Sequence, residues 1–164
     1  MPIRPATLAE LPNIVDIYNA AIPGRRATAD TEPVTVESRL EWFKAHDPAT
    51  RPLWVSETDG EIRGWLSLSS FYGRPAYNAT VEVSLYVTTP AQGLGVGSQL
   101  LQHALSAAPG LGITTLLAFI FGHNQASIKL FERCGFTSWG LLPRVALLDQ
   151  MGCDLSILGL RLGL

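Results

Sequence analysis

The sequence predicts a mixed α/β domain, a sheet with helices on its faces. Strand-like alternation is clearest in TVEVSLYV (80–87), where Val81, Val83, Leu85 and Val87 share one face and Thr80, Glu82, Ser84 and Tyr86 the other. Helical spacing is clearest just beyond it, where Leu100, Leu101, Ala104, Leu105 and Ala108 make one apolar stripe. The two patterns interleave along the chain in the order α, α, β, β, β, α, β, α, β, β. The chain has 164 residues, 47% of them hydrophobic, which is enough apolar material for one domain spanning 1–164.

Each element has its own signal. Thr7 and Glu10 have the spacing of a capping box and open a helix over about 8–21, with Pro12 late in its first turn. Residues 21–35 (AIPGRRATADTEPVT) form a loop rich in turn formers and charge. Val36, Leu40 and Phe43 predict a second helix over about 36–46. LWVSET (53–58) and IRGWLSLSSF (62–71) flank Asp59-Gly60, a hairpin signal. The loop YGRPAYN (72–78) leads into the strand at 80–87. The next helix runs from Gly95 to about Ala108, with Gln99, Gln102, His103 and Ser106 on its wet face. ITTLLAFIFG (113–122) is a buried strand by its length and its flanking glycine. Asn124 caps a short helix that stops before Gly135, and strands follow at about 136–148 and 154–162. Most of Trp42, Trp54, Trp65 and Trp139 are expected in the core.

Composition narrows the function. Twelve basic against fourteen acidic residues give a formal net charge of −2 without a basic stripe, so nucleic acid is not an expected partner. The longest apolar run, LGITTLLAFIF (111–121), is too short to span a bilayer, and no membrane association is expected. MPIRPATLAE has no apolar signal core, and two cysteines, Cys134 and Cys153, make no disulfide framework; a cytoplasmic location follows as the expectation. His46, His103 and His123 do not cluster in sequence, the cysteines have no metal-ligand spacing, and no metal is expected.

The chemistry gathers at YVTTPAQGLGVGSQLL (86–101), a strand-to-helix loop carrying Gly93, Gly95 and Gly97. Glycines there permit positive φ and let a ligand reach the main chain. Free N–H groups at the helix start, at the positive end of its dipole, suit a phosphate or pyrophosphate. A plain tight turn is the competing reading of the same string. No Gly-Lys-Ser/Thr follows, which excludes a nucleotide P-loop, and the third glycine comes one residue too early for the dinucleotide fingerprint. On the strand before the loop, Glu82 sits in a polar row close to where the anion docks, and a carboxylate there can accept a proton directly or through a water.

Gln92-Gly93-Leu94-Gly95-Val96-Gly97 resembles the Gln/Arg-x-x-Gly-x-Gly/Ala signature of the GCN5-related N-acetyltransferases, and HNQASIKLFERCGF (123–136) resembles their second motif. IRPATLAELPNIVDIYN (3–19), DTEPVT (30–35), RPAY (74–77), TVEVSLYV and the tail LPRVALLDQMGCDLSILGLRL (142–162) are similar to the phosphinothricin and methionine-sulfoximine acetyltransferase group, so the resemblance covers nearly the whole chain. It implies the family fold, a mostly antiparallel central sheet whose splayed strands open a CoA cleft. It implies acetyl-CoA as donor, a small primary amine as acceptor, frequently a homodimer, and Glu82 as general base. The pantetheine arm is then expected along the backbone of Leu85, Tyr86 and Val87, where a main-chain N–H also faces the oxyanion. The pyrophosphate is expected on the N–H groups of Gln92, Gly93, Leu94, Gly95, Val96, Gly97 and Ser98, and Asn124, Ser127 and Phe131 line the CoA arm from the second motif.

Three departures from the resemblance bear on substrate and mechanism. Phe131 stands where many members carry Tyr and this group often His, and it can supply neither acid nor second base. His123 and Cys134 are the available substitutes, each with a structural role as the simpler reading. Arg74 and Tyr77 are the expected acceptor contacts, but Ala29 and Asn78-Ala79 replace an aromatic and a basic pair common in the group. The acceptor expected is an amino-acid analogue of the phosphinothricin, methionine sulfoximine or methionine sulfone type. The alternatives are a non-catalytic acetyl-CoA-binding sensor and a protein or peptide N-acetyltransferase.

Overall fold

In the computed structural model, which describes residues 2–163, the strands are β1 (Ile3–Pro5), β2 (Leu53–Thr58), β3 (Glu61–Ser70), β4 (Thr80–Val87), β5 (Thr115–Phe121), β6 (Thr137–Leu148) and β7 (Met151–Arg161). They form one sheet in the order β1-β2-β3-β4-β5-β7-β6. Every neighbouring pair is antiparallel except β4 and β5, which run parallel. The helices are α1 (Leu11–Ala21), α2 (Leu40–Lys44), α3 (Val96–Ala107) and α4 (Gln125–Arg133). The mixed sheet with helices on its faces is the architecture the sequence predicts.

The pleat of the central strands sorts their side chains between two cores. Leu66, Leu68, Val81 and Val83 point to the face covered by α3 and α4, where they pack with Leu100, Leu101, Ala104 and Phe131. Trp65 and Tyr86 point to the opposite face and pack with Ile14 and Ile17 of α1 and with Trp42 and Phe43 of α2. Gly64 lets α3 lie close on β3: a Cβ there would stand 2.9 Å from Tyr86 O and 3.2 Å from a Val96 methyl.

Local signals explain the elements. Glu10 accepts from the Thr7 N–H at 2.8 Å, the reciprocal half of the capping box, and closes a short 3-10 turn before α1. Pro12 then falls in the first turn of α1, where its missing N–H costs nothing. Asp59 and Gly60 both take positive φ (53° and 78°), as a two-residue type I′ hairpin requires. Gly135 takes φ 99° just past α4 and ends it as a left-handed C′ residue.

The structure differs from the sequence expectation in several places. β1 was not anticipated: three residues ending in Pro5 are too short to show a period, and Pro5 is tolerated because the strand is an edge. The second helix is shorter than 36–46, since Glu37–Arg39 is a 3-10 turn and α2 ends at Lys44. β7 begins at Met151, three residues before the expected 154, because the hairpin turn at Asp149 and Gln150 is tight, both with positive φ. His103 is half-buried, not on a wet face, with its ring edge-on to Trp54 at 4.9 Å. Trp54 and Trp65 are core residues as expected, whereas Trp139 is 45% exposed and lies across Gly159, whose added Cβ would meet the indole at 2.2 Å.

Candidate active site

The site starts from a gap in the sheet. β4 and β5 pair only over Thr80–Glu82 and Thr115–Leu117. β5 stays bonded to β7 as far as Phe121, and β4 to β3 as far as Val87. From Val83 onward, β4 therefore has a backbone edge with no strand beside it on the β5 side. An edge of this kind accepts a further extended chain by main-chain hydrogen bonds.

The loop of residues 25–27 leans over both arms of the gap. His123 Nε2 donates to Arg25 O at 2.6 Å and Asn124 Nδ2 to Arg26 O at 3.2 Å. On the β4 side, Tyr86 Oη donates to Ala27 O at 2.9 Å. His123 also stacks on Phe121, which leaves it holding a loop and a ring.

The glycine loop lies at the C-terminal end of β4. Gly93 (φ 77°) and Gly95 (φ 86°) occupy the left-handed region, and Gly95 is the N-cap of α3. The first intrahelical bond runs from Gln99 N–H to Gly95 O at 3.0 Å, so the N–H groups of Val96, Gly97 and Ser98 precede it and remain available at the positive end of the helix. Val96 turns its side chain into the core at 2% exposure. Leu94 projects outward from the loop and is exposed. Gln92 braces the loop, its Nε2 donating to Val87 O at 3.3 Å. Gly97 departs from the expectation of positive φ: it lies inside α3, and a Cβ there would meet Leu130 Cδ2 at 3.1 Å and Leu85 Cδ2 at 3.6 Å. Its small size serves the contact of α3 with α4 and β4.

Glu82 lies at the point where the gap opens, half-buried, on the face shared with Ser84 and Tyr86. Burial raises its pKa above the ordinary carboxylate value. On the same face is a cavity of about 170 Å³ lined by Tyr18, Arg39, Trp42, Trp65, Ser84 and Tyr86 among others. Arg39 closes its rim, ion-paired with Asp30 at 3.1 Å and set over the Tyr18 ring at 4.9 Å. The Tyr18 hydroxyl bonds to Thr28 and Asp30, and burial raises its pKa, so it stays protonated.

The remaining sequence-predicted residues fall as follows. Asn124 caps α4, its Oδ1 accepting from Ser127 N–H at 3.3 Å and its Nδ2 donating to Ser127 Oγ at 3.1 Å. Leu85 and Val87 pack toward α3, leaving only their backbone on the open edge. Phe131 is 4% exposed in the core, edge-on to Phe136 at 5.0 Å. Burial raises the Cys134 thiol pKa, so it stays a thiol. Arg74 precedes and Tyr77 ends a 3-10 turn on the exposed loop before β4; Tyr77 packs on Phe71 and Tyr72, and neither residue lines the cavity.

Sequence reasoning missed the contributions of α1, α2 and β3. Tyr18 reaches the cavity from a helix read only from its capping box, and Arg39 from the 3-10 turn before a helix read only from its apolar spacing. The alternation of Ser67 and Ser69 with Leu66 and Leu68 was a legible sign of a polar row inside the sheet.

The model of the "Acetyltransferase (GNAT) family" matches residues 12–136. The chain is 54% identical over 160 residues to the "Putative phosphinothricin acetyltransferase YwnH" of Bacillus subtilis (strain 168), covering 97% of this chain and 98% of that one. It is 35% identical over 161 residues to the L-methionine sulfoximine/L-methionine sulfone acetyltransferase of Pseudomonas paraeruginosa (strain DSM 24068 / PA7), covering 98% and 94%. The crystal structure of a GNAT superfamily phosphinothricin acetyltransferase from Sinorhizobium meliloti in complex with acetyl-CoA superposes with a TM-score of 0.93 at 28% identity, covering 99% of this chain and 88% of that one. With the fold and the family pattern agreeing along the chain, it belongs to the acetyltransferase (GNAT) family and is an acetyl-CoA-dependent N-acetyltransferase.

Proposed function

We propose that the chain acetylates the primary amine of a small amino-acid analogue of the phosphinothricin, methionine sulfoximine or methionine sulfone type, with Glu82 as general base. The observation that carries the reading is the position of Glu82: half-buried, with a raised pKa, at the mouth of the β4–β5 gap and on the face of the aromatic cavity. The names of the Bacillus and Pseudomonas relatives support the acceptor class.

The residues fit acetyl-CoA. The open edge at Leu85, Tyr86 and Val87 suits the amides of the pantetheine arm, and the N–H groups from Gln92 through Ser98 suit the pyrophosphate. Asn124, Ser127 and Phe131 are proposed alongside the arm, Phe131 from within the core. Bound acetyl-CoA supplies an acetyl thioester and a thiol with a pKa of about 8.5, which leaves as thiolate unaided. A buried Phe131 in place of a general acid is therefore tolerable. Glu82 takes a proton from the acceptor amine, which is mostly protonated at pH 7 and attacks only as the free base. The cavity walls exclude water from the amine, and Arg74 and Tyr77 are proposed to meet the acceptor from the loop before β4.

A homodimer and a cytoplasmic location complete the reading. β6 is an edge strand with Leu141, Leu142, Val145 and Leu147 exposed, a surface suited to a second copy. Among the described residues no helix is long and apolar enough to cross a membrane.

The test is CoA thiol release from acetyl-CoA across an amine panel: methionine sulfone, methionine sulfoximine, phosphinothricin, common amino acids, polyamines and short peptides. Release with a carboxylate-bearing amine is expected, and Glu82→Gln lowers kcat by about 10²–10⁴ while leaving acetyl-CoA affinity within about twofold. Binding without release on any amine would favour an acetyl-CoA sensor, and release only on peptides a protein acetyltransferase.

A further inference from the structure

The face of the sheet under α1 and α2 carries polar side chains that base and cavity leave unexplained. The antiparallel register sets Ser67 opposite Ser84 and Ser69 opposite Glu82. Directly opposed residues hold their Cβ atoms about 4.5–5.5 Å apart, which brings a serine hydroxyl within a hydrogen bond or one water of the carboxyl. Ser67 is 1% exposed and its hydroxyl has no partner among the described residues, so the row wants a water beside it.

Ser69 continues outward to His46, in the turn that ends α2. Ser69 Oγ is 3.4 Å from His46 Nε2. His46 Nδ1 is 2.8 Å from Trp42 O, and a carbonyl only accepts, so Nδ1 carries the ring proton and Nε2 is left as the acceptor. The Trp42 ring sets the imidazole edge-on at 4.9 Å. Burial lowers the His46 pKa, so the ring is neutral near pH 7 and free to take a proton, while its half-exposed position gives contact with solvent. The other charged groups around this row are Arg39, which lines the cavity with Ser84 and is paired with Asp30, Arg51, which donates to Ser70 Oγ and Asn78 O, and Lys44 and Asp47 beside His46 in the chain.

We propose that Ser69 and His46 form the exit for the proton that Glu82 takes from the acceptor amine. This rests on Glu82 being the base. The proton leaves the amine nitrogen for a Glu82 oxygen. Glu82 passes a proton to Ser69 Oγ, directly or through one water, as Ser69 passes its own to His46 Nε2. The carboxylate is restored, and the imidazolium releases its proton to solvent. No electrons change hands and no further reactant is used. Ser69 and His46 are positioning and relay residues, acting through Glu82.

The test has two arms. In the ligand-free protein, the ¹⁵N imidazole signals of His46 are followed against pH by NMR. Nε2 is expected unprotonated at pH 7, and Glu82→Gln is expected to move the His46 titration to lower pH. A protonated Nε2, or a titration unmoved by Glu82→Gln, overturns the proposal. In the second arm, kcat is measured against pH with methionine sulfone, or with the best amine of the panel. Ser69→Ala and His46→Gln are expected to lower kcat about tenfold, less than loss of the base itself, with the acetyl-CoA KM within about twofold. The acid limb should be steeper than a slope of one over about a tenfold fall in rate in the wild type and keep a slope of one throughout in His46→Gln, and Ser69→Thr should restore most of the rate lost in Ser69→Ala. If Glu82→Gln is inactive while Ser69→Ala and His46→Gln keep the wild-type rate and slope, the exit is wrong and the base stands. If Glu82→Gln keeps its rate, or the whole panel is silent, both fall.

Discussion

Under α3 and α4 the sheet is dry. Leu66, Leu68 and Val81 are fully buried there, and Leu100, Leu101 and Ala104 come down on them, all at 0% exposure. Under α1 and α2 the same strands present Ser67, Ser69, Glu82 and Ser84 between the aromatic rings, and a cavity of about 170 Å³ is left beside them. One residue of translation along β3 or β4 carries a side chain from one regime to the other. The comparison teaches a division of labour: one face is spent on burial, while the other retains polar groups that stability alone would replace.

Substitutions on the two faces should therefore have opposite signatures. Leu100→Ala empties a fully buried site and should cost about 2–5 kcal/mol in urea unfolding, with turnover per folded molecule unchanged. A fall in kcat with little loss of stability would break the comparison. Ser84→Val exchanges a cavity-lining hydroxyl for a strand-favouring apolar group, and should raise stability by up to about 1 kcal/mol while lowering kcat. The smallest effect belongs to neither face. Glu10, held by Arg4 at 2.7 Å and by Thr7, has its pKa lowered to about 2. A depressed carboxylate stabilises the fold above its unfolded pKa of about 4.3, and that contribution is lost as pH falls toward 2. Acid titration of the melting temperature should show this loss in the wild type and a shallower one in Glu10→Gln.

What was legible in the sequence followed from local chemistry. The alternation in TVEVSLYV gives both faces of β4, Asp59-Gly60 its hairpin, and Asn124 and Gly135 the two ends of α4. What was not legible depends on partners distant in the chain. The parting of β4 from β5 after Glu82 is a matter of strand packing with no residue of its own to announce it. Gly97 looked like its neighbours in the loop, and only the approach of Leu130 separates its role from theirs. His46 and Ser69 are 23 residues apart, and neither is unusual until the fold joins them.

The parted strands also tie durability to supply. In the proposed reading acetyl-CoA completes the edge of β4 beyond Glu82, and it binds the folded chain alone. By mass action, a ligand present at one hundred times its dissociation constant adds about 2.7 kcal/mol to folding. That is of the same order as the loss from emptying the Leu100 site. If acetyl-CoA fills the gap as proposed, it lengthens the life of the protein as well as feeding its reaction, and the same enzyme unfolds more readily where that donor is scarce.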